Sequence, residues 1–506
     1  MDAMQENVIA FLSDPAAHGG AAVERVATHC SLVFLAGNRA YKLKRAVRLP
    51  YLDYGTLERR RAYVEAEVAL NRRTAPMLYE GAVPVTMRAD GGLLLGGDGE
   101  AVEWLVAMRR FAADALFDAM AQADTLRIGL VEDAARAIAR FHADAAVAPE
   151  HGGAPALRWL LGNNRAAFAP SVPRVFSADD VVQLEAAQRA ELDRHAALLD
   201  ARRARGFVRR CHGDLHLRNI VLVDGRAVPF DGIEFDDRLA CIDVLYDLAF
   251  LLMDLAHRGM DAHANAAMNA YLEGHGADEG LALLPLFLSL RATVRAHVGA
   301  TAALLSGDGA QAEEARAYLA EAHVHLAPAA PRLVALGGLS GTGKSRLARD
   351  LAPHLGATPG ALILRSDVIR KRRAGVAPSD RLPPEAYAPD VTAAVYATLV
   401  AEARTALTAG RSVVADAVFG QTPERAAISE AARAAGARFD ALWLTAPLDV
   451  REARVAGRTG DASDATVDVV RRQDELSLAA AEWPPLDASG TPEATLAKAR
   501  AVVGIG

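Results

Sequence analysis

The stretch Gly337–Arg346 reads GGLSGTGKSR, with glycines at 338, 341 and 343 ahead of Lys344 and Ser345. The spacing G-x-x-x-x-G-K-S suits a loop whose backbone N–H groups wrap the oxygens of a phosphate chain. Gly338, Leu339, Ser340, Gly341, Thr342 and Gly343 would form the cradle. Lys344 would reach the outer phosphates and Ser345 would hold Mg²⁺. The plain alternative is a glycine-rich turn with a solvated lysine. The surroundings oppose it, since an apolar run precedes the loop and the helical pattern KSRLARDLAPHLG follows. Asp367, in RSDVIRKRR, falls where the next strand turns into a helix. A carboxylate there can take a hydroxyl proton, or simply cap the helix, and Arg370 can orient an acceptor. Asp416 ends the run SVVADA and either reaches Mg²⁺ through water or caps a buried helix. Arg451, Arg454 and Arg458 recur at i, i+3 and i+7, hence on one helical face. They form either a row of guanidinium groups over transferring phosphate or a solvated face. The loop TGDASDA after them suits a mobile lid.

A second group lies far upstream, in CHGDLHLRNIVLVDGRAVPFDGIEFDD. His212, Gly213, Asp214 and Asn219 form H-G-D-x-x-x-x-N, and Asp231 follows an apolar run. Asp214 would accept a hydroxyl proton, while Asn219 and Asp231 would hold Mg²⁺. The motif resembles that of kinase-like phosphotransferases, and the resemblance implies a lysine on a strand and a glutamate on a helix. RAYKLKRAV offers Lys42 and Lys44 on one face of a strand. The A-x-K pattern favours Lys42 slightly and leaves Lys44 open. The helical run RRRAYVEAEVALNRR offers Glu67, with Glu65 as the other choice. Glu103–Phe111, EWLVAMRRF, reads as a strand joining two lobes.

The elements that must position these groups divide the chain in two. A chain of 506 residues is too long for one core. Composition is that of a folded soluble protein, and a net charge of -7 argues against broad attraction to nucleic acid or anionic membrane. Cys30, Cys211 and Cys241 show no metal or disulfide spacing and suit the cytoplasm. MDAMQENVIAFLSD lacks the apolar core of a signal peptide, and the apolar windows at 245–259 and 281–297 read as buried helices. Pro328 and Pro331 mark a junction, giving expected domains at 1–328 and 329–506. Before it, strand-rich patterns near 33–48 and 81–111 precede helical ones, an α+β bilobal, protein-kinase-like order. After it, RLVALGG, ALILRSD, RSVVADAVF and FDALWLTAP alternate with helices, an α/β fold with a parallel sheet.

On the motif at 212–219 with Asp231, residues from about Val23 to Ala327 resemble the aminoglycoside phosphotransferase and choline kinase family. On Gly338–Ser345, Asp367 and the arginines, residues from Arg332 onward resemble small P-loop kinases such as gluconate kinase, shikimate kinase, chloramphenicol phosphotransferase and polynucleotide 5′-kinase. The resemblance implies ATP and Mg²⁺ as cofactors and small-molecule hydroxyls as acceptors. It implies acceptor contact by Asp367, lid roles for Arg454 and Arg458, an adenine-side segment at LDASGT near Asp487, and structural support of the upstream loop by Asp247. One departure is the missing G-x-G-x-x-G before Lys42, where only THCS, Thr28–Ser31, offers a turn. Three functions follow: two active kinases in one chain, one P-loop kinase with a regulatory kinase-like half, or a nucleic-acid end kinase suggested by RKRR. The basic clusters RRARGFVRR and RKRR read first as solvated surfaces.

Overall fold

The computed structural model describes residues 3–28, 30–49, 52–457, 462–475 and 482–505. Its internal contacts separate two compact units, Met1–Leu157 with Leu199–Leu251, and Arg158–Leu198 with Leu252–Gly506.

The first unit opens with β1 (Val23–Ala27), β2 (Ser31–Ala36) and β3 (Arg39–Lys44). A short ladder, β4 (Arg48–Leu49) with β5 (Leu52–Asp53), follows, and then β6 (Tyr79–Met87), β7 (Leu93–Leu95) and β8 (Glu100–Arg109). Six of these make an antiparallel sheet in the order β1-β2-β3-β8-β6-β7. Strand alternation gives the sheet two different faces. Phe34, Tyr41, Leu43 and Leu105 pack under the N-terminal helix Ala3–Ser13, whose Val8 and Leu12 are fully buried. Ala40, Val106 and Met108 face the other way, in the core shared with the helix Leu57–Asn71. Lys42 and Lys44 follow Ala40 at two-residue steps and so share that second face. Thr56 caps the helix by accepting the Arg59 N–H. Val64, Glu67, Val68 and Asn71, at i, i+3, i+4 and i+7, are its buried stripe, so the helical period turns Glu67 toward the sheet.

Two small ladders complete the unit. β9 (Val208–Arg210) pairs with β12 (Cys241–Asp243), and between them β10 (Ile220–Val223) and β11 (Arg226–Pro229) form a hairpin. Its two turn residues, Asp224 and Gly225, have φ of 48° and 77°, the backbone that two-residue hairpins require. The hairpin therefore brings Asn219 and Asp231, twelve positions apart in sequence, to the same open end. The Phe230 N–H donates to the Asn219 carbonyl at 2.9 Å.

In the second unit the helices Leu284–Ser306 and Gly309–His325 pack on each other and on Ala178–Arg194. Among the described residues one helical stretch, Glu279–Ser306, is long and apolar enough to cross a membrane, and 67% of that window is buried in the fold. Its inward hydroxyls are bonded as a core helix requires: Gln188 donates to Ser289 Oγ at 2.9 Å and to Thr293 Oγ1 at 2.8 Å. Beyond lies a five-stranded sheet of β13 (Arg332–Gly338), β14 (Leu362–Arg365), β15 (Val413–Asp416), β16 (Arg438–Thr445) and β17 (Pro485–Asp487). The order is β14-β15-β13-β16-β17 and every pairing is parallel. Leu333–Leu336 and Val413–Ala415 are fully buried, the continuous apolar runs of strands covered on both faces.

The edge strand β14 is not left open. Asn265, on the helix Asp261–Leu272, donates to the carbonyls of Pro359 and Ala361, both at 2.9 Å. The Ile363 N–H donates to Asn269 Oδ1 at 2.7 Å. These contacts tie the helix to the parallel sheet, so the junction expected at 328/329 lies inside the second unit. Replacing both residues, Asn265→Ala with Asn269→Ala, leaves buried backbone groups unpaired at about 1–3 kcal/mol each. A lower Tm is expected, together with faster amide exchange in the peptide containing Ile363, read by hydrogen–deuterium exchange.

Candidate active sites

In the first unit the strand, the helix and the hairpin meet at Lys42. Its Nζ lies 2.9 Å from Glu67 Oε1 and 2.5 Å from Asp231 Oδ1. Burial alone would lower the Lys42 pKa, but the carboxylates of Asp231 and Glu67 outweigh it and hold the ammonium well above its ordinary range. Burial likewise acts to raise Glu67, and the Lys42 and Lys44 ammonium groups overcome it to hold the carboxyl well below its ordinary range. Asp231 sits at φ 62°, a left-handed backbone that a non-glycine residue holds only when its neighbours fix it. They do so here: Tyr79 Oη accepts the Asp231 N–H at 3.2 Å, and Asn71 Oδ1 accepts the Gly232 N–H at 2.8 Å.

The loop carrying Asp214 hangs on Asp247. This fully buried carboxylate accepts the N–H of His212 at 2.9 Å and of Gly213 at 2.8 Å, and lies 3.0 Å from His142 Nε2. His212 in turn bonds the Phe230 carbonyl at 2.8 Å through Nε2. Burial lowers the His212 pKa, with Asp247 and Asp214 opposing that shift, so the ring favours its neutral form. Asn219 Nδ2 donates to both the carbonyl and the carboxylate of Asp214 at 2.9 Å. Its amide oxygen is then the donor left for a cation. Asn219 and Asp231 offer hard oxygens on facing ends of one hairpin, which fits Mg²⁺. Beside Lys42, the partly buried Val33, Leu35, Phe111 and Phe230 rest on Ala40, Met108 and Val221, an apolar surface of the kind that takes a nucleotide base.

In the second unit the loop after β13 folds into the helix Lys344–Leu351. A Cβ on Gly341 would lie 2.6 Å from the Arg451 carbonyl oxygen, and one on Gly338 would lie 2.5 Å from that of Leu444. Both positions also have positive φ, so the cradle closes only with glycine. Lys344 Nζ donates to the carbonyls of Gly338 at 2.8 Å and Leu339 at 3.0 Å, which curls it across the loop. Ser345 Oγ donates to Asp416 Oδ2 at 2.6 Å, so these oxygens, from the helix start and the end of β15, also fit Mg²⁺. Asp367 lies in the first turn of the helix Ser366–Arg373, after β14. Burial pushes its carboxyl pKa up, Arg365 and Lys344 pull part of the shift back, and Asp416 adds repulsion. The phenols of Tyr387 and Tyr396 are likewise held high by burial, with the charge of Asp367 adding to both. A cavity beside the loop is lined by Gly341, Thr342, Ser345, Arg454, Ala488 and Gly490, which brings the segment near Asp487 to the nucleotide side.

Several expectations need correction. Lys44 does not face the opening: its side chain is 1% exposed and bound to Glu67, Glu234 and Tyr54. Glu65 pairs with Arg61 at the surface, which leaves Glu67 as the buried partner. Asp416 caps no helix and is engaged with Ser345 and with Arg365, whose Nε is 3.3 Å away. The arginine row over the phosphates does not form between its two described members. Arg451 is buried against Asp474, while Arg454 donates to the Ala488 carbonyl at 2.8 Å and the Thr342 carbonyl at 3.4 Å, along the flank of the loop. Arg458 lies outside the described residues, as do Thr459, Gly460 and Asp461 of the lid loop. Arg370 is spent on the Ala386 carbonyl at 2.6 Å. The basic clusters are solvated only in part: Arg205 and Arg373 are exposed, but the other contacts run inward. Lys371 holds the Pro378 carbonyl and Asp464, Arg372 pairs with Glu402, Arg202 grips Asp243, and Arg209 holds the carbonyls of Ala143 and Ala145. In the turn THCS, Thr28 Oγ1 accepts the Ser31 N–H at 3.0 Å, with His29 outside the described residues.

Other site residues had no local signal. Arg365 donates to Ser345 Oγ at 3.1 Å, and the Ser340 N–H of the cradle donates to Gln473 Oε1 at 2.8 Å. His216 Nε2 lies 3.3 Å from Asp214 Oδ2, with its ring edge-on to Phe250. Only the last was legible in principle, as the second histidine of HGDLH.

Residues 37–284 match the phosphotransferase enzyme family, and residues 333–479 match an AAA domain family. The chain is 31% identical over 483 residues to the uncharacterized proteins Rv2004c of Mycobacterium tuberculosis and Mb2027c of Mycobacterium bovis, covering 93% of each chain. Solved structures similar to parts of it include a choline/ethanolamine kinase family protein from Mesorhizobium loti, at 16% identity over 64% of this chain and 95% of that one, TM-score 0.40. A gluconokinase from Sinorhizobium meliloti matches at 18% identity over 34% and 92%, TM-score 0.25. An APS kinase of Mycobacterium tuberculosis matches at 19% identity over 35% and 99%, TM-score 0.26.

Asp367 generates a prediction of opposite signs. Its raised pKa means that stability linked to this group is present at pH values below the usual aspartate range and lost as pH rises through the raised value. At pH 7 the ionised carboxylate opposes folding. Asp367→Asn is therefore expected to raise Tm at pH 7, with the gain vanishing near pH 3, and to lower phosphoryl transfer by the second unit about 10²–10⁴-fold. Calorimetry across pH and a turnover assay read the two effects separately.

Proposed function

We propose that this chain, which belongs to one family with Rv2004c and Mb2027c and is a kinase with two phosphotransferase modules, is bifunctional. Each module transfers the γ-phosphoryl group of ATP to a hydroxyl of a small molecule. One observation carries the reading: although the upstream module has no glycine-rich loop before Lys42, its lysine, its glutamate, its proton acceptor and its two cation ligands are all in place. Asp214, Asn219, Asp231, Lys42 and Glu67 are joined through bonded contacts, alongside the separate set of Lys344, Ser345, Asp416 and Asp367. A purely regulatory module has no use for a proton acceptor placed beside a cation site.

In the first module Asp214 takes the acceptor's hydroxyl proton, and Asn219 holds that carboxylate in orientation. Lys42 is aimed at the phosphates by Glu67, and Asn219 and Asp231 would hold Mg²⁺. In the second, the loop N–H groups and Lys344 grip the phosphates, Ser345 and Asp416 would hold Mg²⁺, and Asp367 takes the proton. Its raised pKa leaves it a stronger base than a solvated aspartate. Bound Mg²⁺ neutralises the charge of the phosphate oxygens at each site. Nucleic acid fits poorly as an acceptor, since the basic clusters are largely spent on internal carbonyls and carboxylates. The three cysteines are free thiols, as a reducing cytoplasm requires.

The test is a metabolite library with ATP and Mg²⁺, read by mass spectrometry for the parent chain, Asp214→Asn and Lys344→Ala. Each substitution is expected to lower one set of products about 10²–10⁴-fold and leave the other set intact. If Asp214→Asn leaves every product unchanged, the upstream module is not a kinase in its own right.

A further inference from the structure

A second lysine, Lys44, stands two residues after Lys42 on the same face of β3. Glu67 divides its carboxylate between them. Lys42 Nζ is 2.9 Å from Oε1 and Lys44 Nζ is 2.5 Å from Oε2. A carboxylate held by one oxygen can rotate, whereas one held by both is fixed in plane and direction.

Lys44 also reaches across the site. It is bonded to Glu234, three residues after Asp231, and Tyr54 joins the pair, with its hydroxyl 3.2 Å from Lys44 Nζ and 2.9 Å from Glu234 Oε1. All three side chains are sheltered from water, Lys44 and Tyr54 at 1% exposure and the Glu234 side chain at 5%. The Lys44 carbonyl is held in turn by Gln5 Nε2 at 3.0 Å. The strained turn at Asp231 is thus bounded on one side by Tyr79 and Asn71 and on the other by the Glu234–Lys44 tie.

We infer that Lys44 is a positioning residue of the upstream module, one that acts through Lys42 and Asp231 by clamping Glu67 and the Glu234 segment. The inference rests on that module binding ATP as proposed above. Without Lys44, Lys42 is, among the described residues, the one ammonium left facing Glu67, Asp231 and Glu234, and it is drawn onto Glu67 and away from the phosphates. Lys44 also limits the excess of negative charge: two ammonium groups meet three carboxylates, and its loss leaves one ammonium among the same three.

A residue that acts through another gives non-additive effects. The experiment uses the full chain carrying Lys344→Ala, so that ATP binding in the presence of Mg²⁺, followed by titration calorimetry, reports the upstream site. Lys44→Met is expected to weaken ATP binding about tenfold in that chain, and less than about threefold further when Lys42→Met is already present. Lys44→Arg restores binding to within about threefold, because the guanidinium can span the same two carboxylates. Tyr54→Phe removes one hydroxyl and no charge, and is expected to weaken binding about threefold. Additive effects of Lys42→Met and Lys44→Met, or a lowered Tm with unchanged affinity, would make Lys44 a structural ion pair only and overturn the inference. Should Lys44→Met not fold, unchanged affinity in Tyr54→Phe overturns it equally. If the Lys344→Ala chain binds no ATP at all, the reading of the module itself fails, and the inference with it.

Discussion

A carboxylate removed from water is tolerable only when its oxygens are fully engaged, and Asp247 meets that condition by holding the loop on which the upstream chemistry depends. Two of its acceptor positions go to consecutive backbone N–H groups, of His212 and Gly213, and a third contact goes to His142. Because the charge has nowhere else to go, the loop has no competing position. Asp214 then projects from a backbone already fixed, and Asn219 fixes its carboxylate. Glu67 repeats the same logic with two ammonium groups in place of two amides.

The downstream module solves the problem differently. It lets backbone geometry position the ligand groups. β13 lies in the middle of a parallel sheet, so its carboxyl end opens beside those of β15 and β16. Lys344, Ser345 and Asp416 converge there because strands and loops of fixed length end together. On the proposed reading, phosphate grip in this module rests largely on main-chain N–H groups, which cannot rotate away, while in the upstream module it rests on a lysine that must be aimed.

Both motifs were legible because each is short and its spacing is set by local geometry. Asn219 and Asp231 could be paired in sequence since a two-residue Asp-Gly turn leaves a hairpin only one register. The strands of the parallel sheet announced themselves as apolar runs between helical ones. Lys42 and Lys44 could not be separated in sequence, because strand alternation places them on one face and what distinguishes them is Tyr54 and Glu234, the latter 190 residues away. The basic clusters were misread for the same reason. Nothing local shows that Arg209 will meet the carbonyls of Ala143 and Ala145, or that Lys371 will meet Asp464. Helical periodicity put Arg451 and Arg454 on one face correctly, but face alone does not say that one of them points at Asp474.

The asparagines that close the outer edge of β14 bear on how such a chain can be inherited. A strand with unpaired amides is a template for other strands, and sheets are under steady pressure to hide it. Here the cover is supplied by the helix Asp261–Leu272, which precedes β13 and lies within the stretch matched to the other family. Splitting the gene between the two families would release a P-loop half with a sticky border. With its border held by that helix, the P-loop stretch meets separation as a folding problem first.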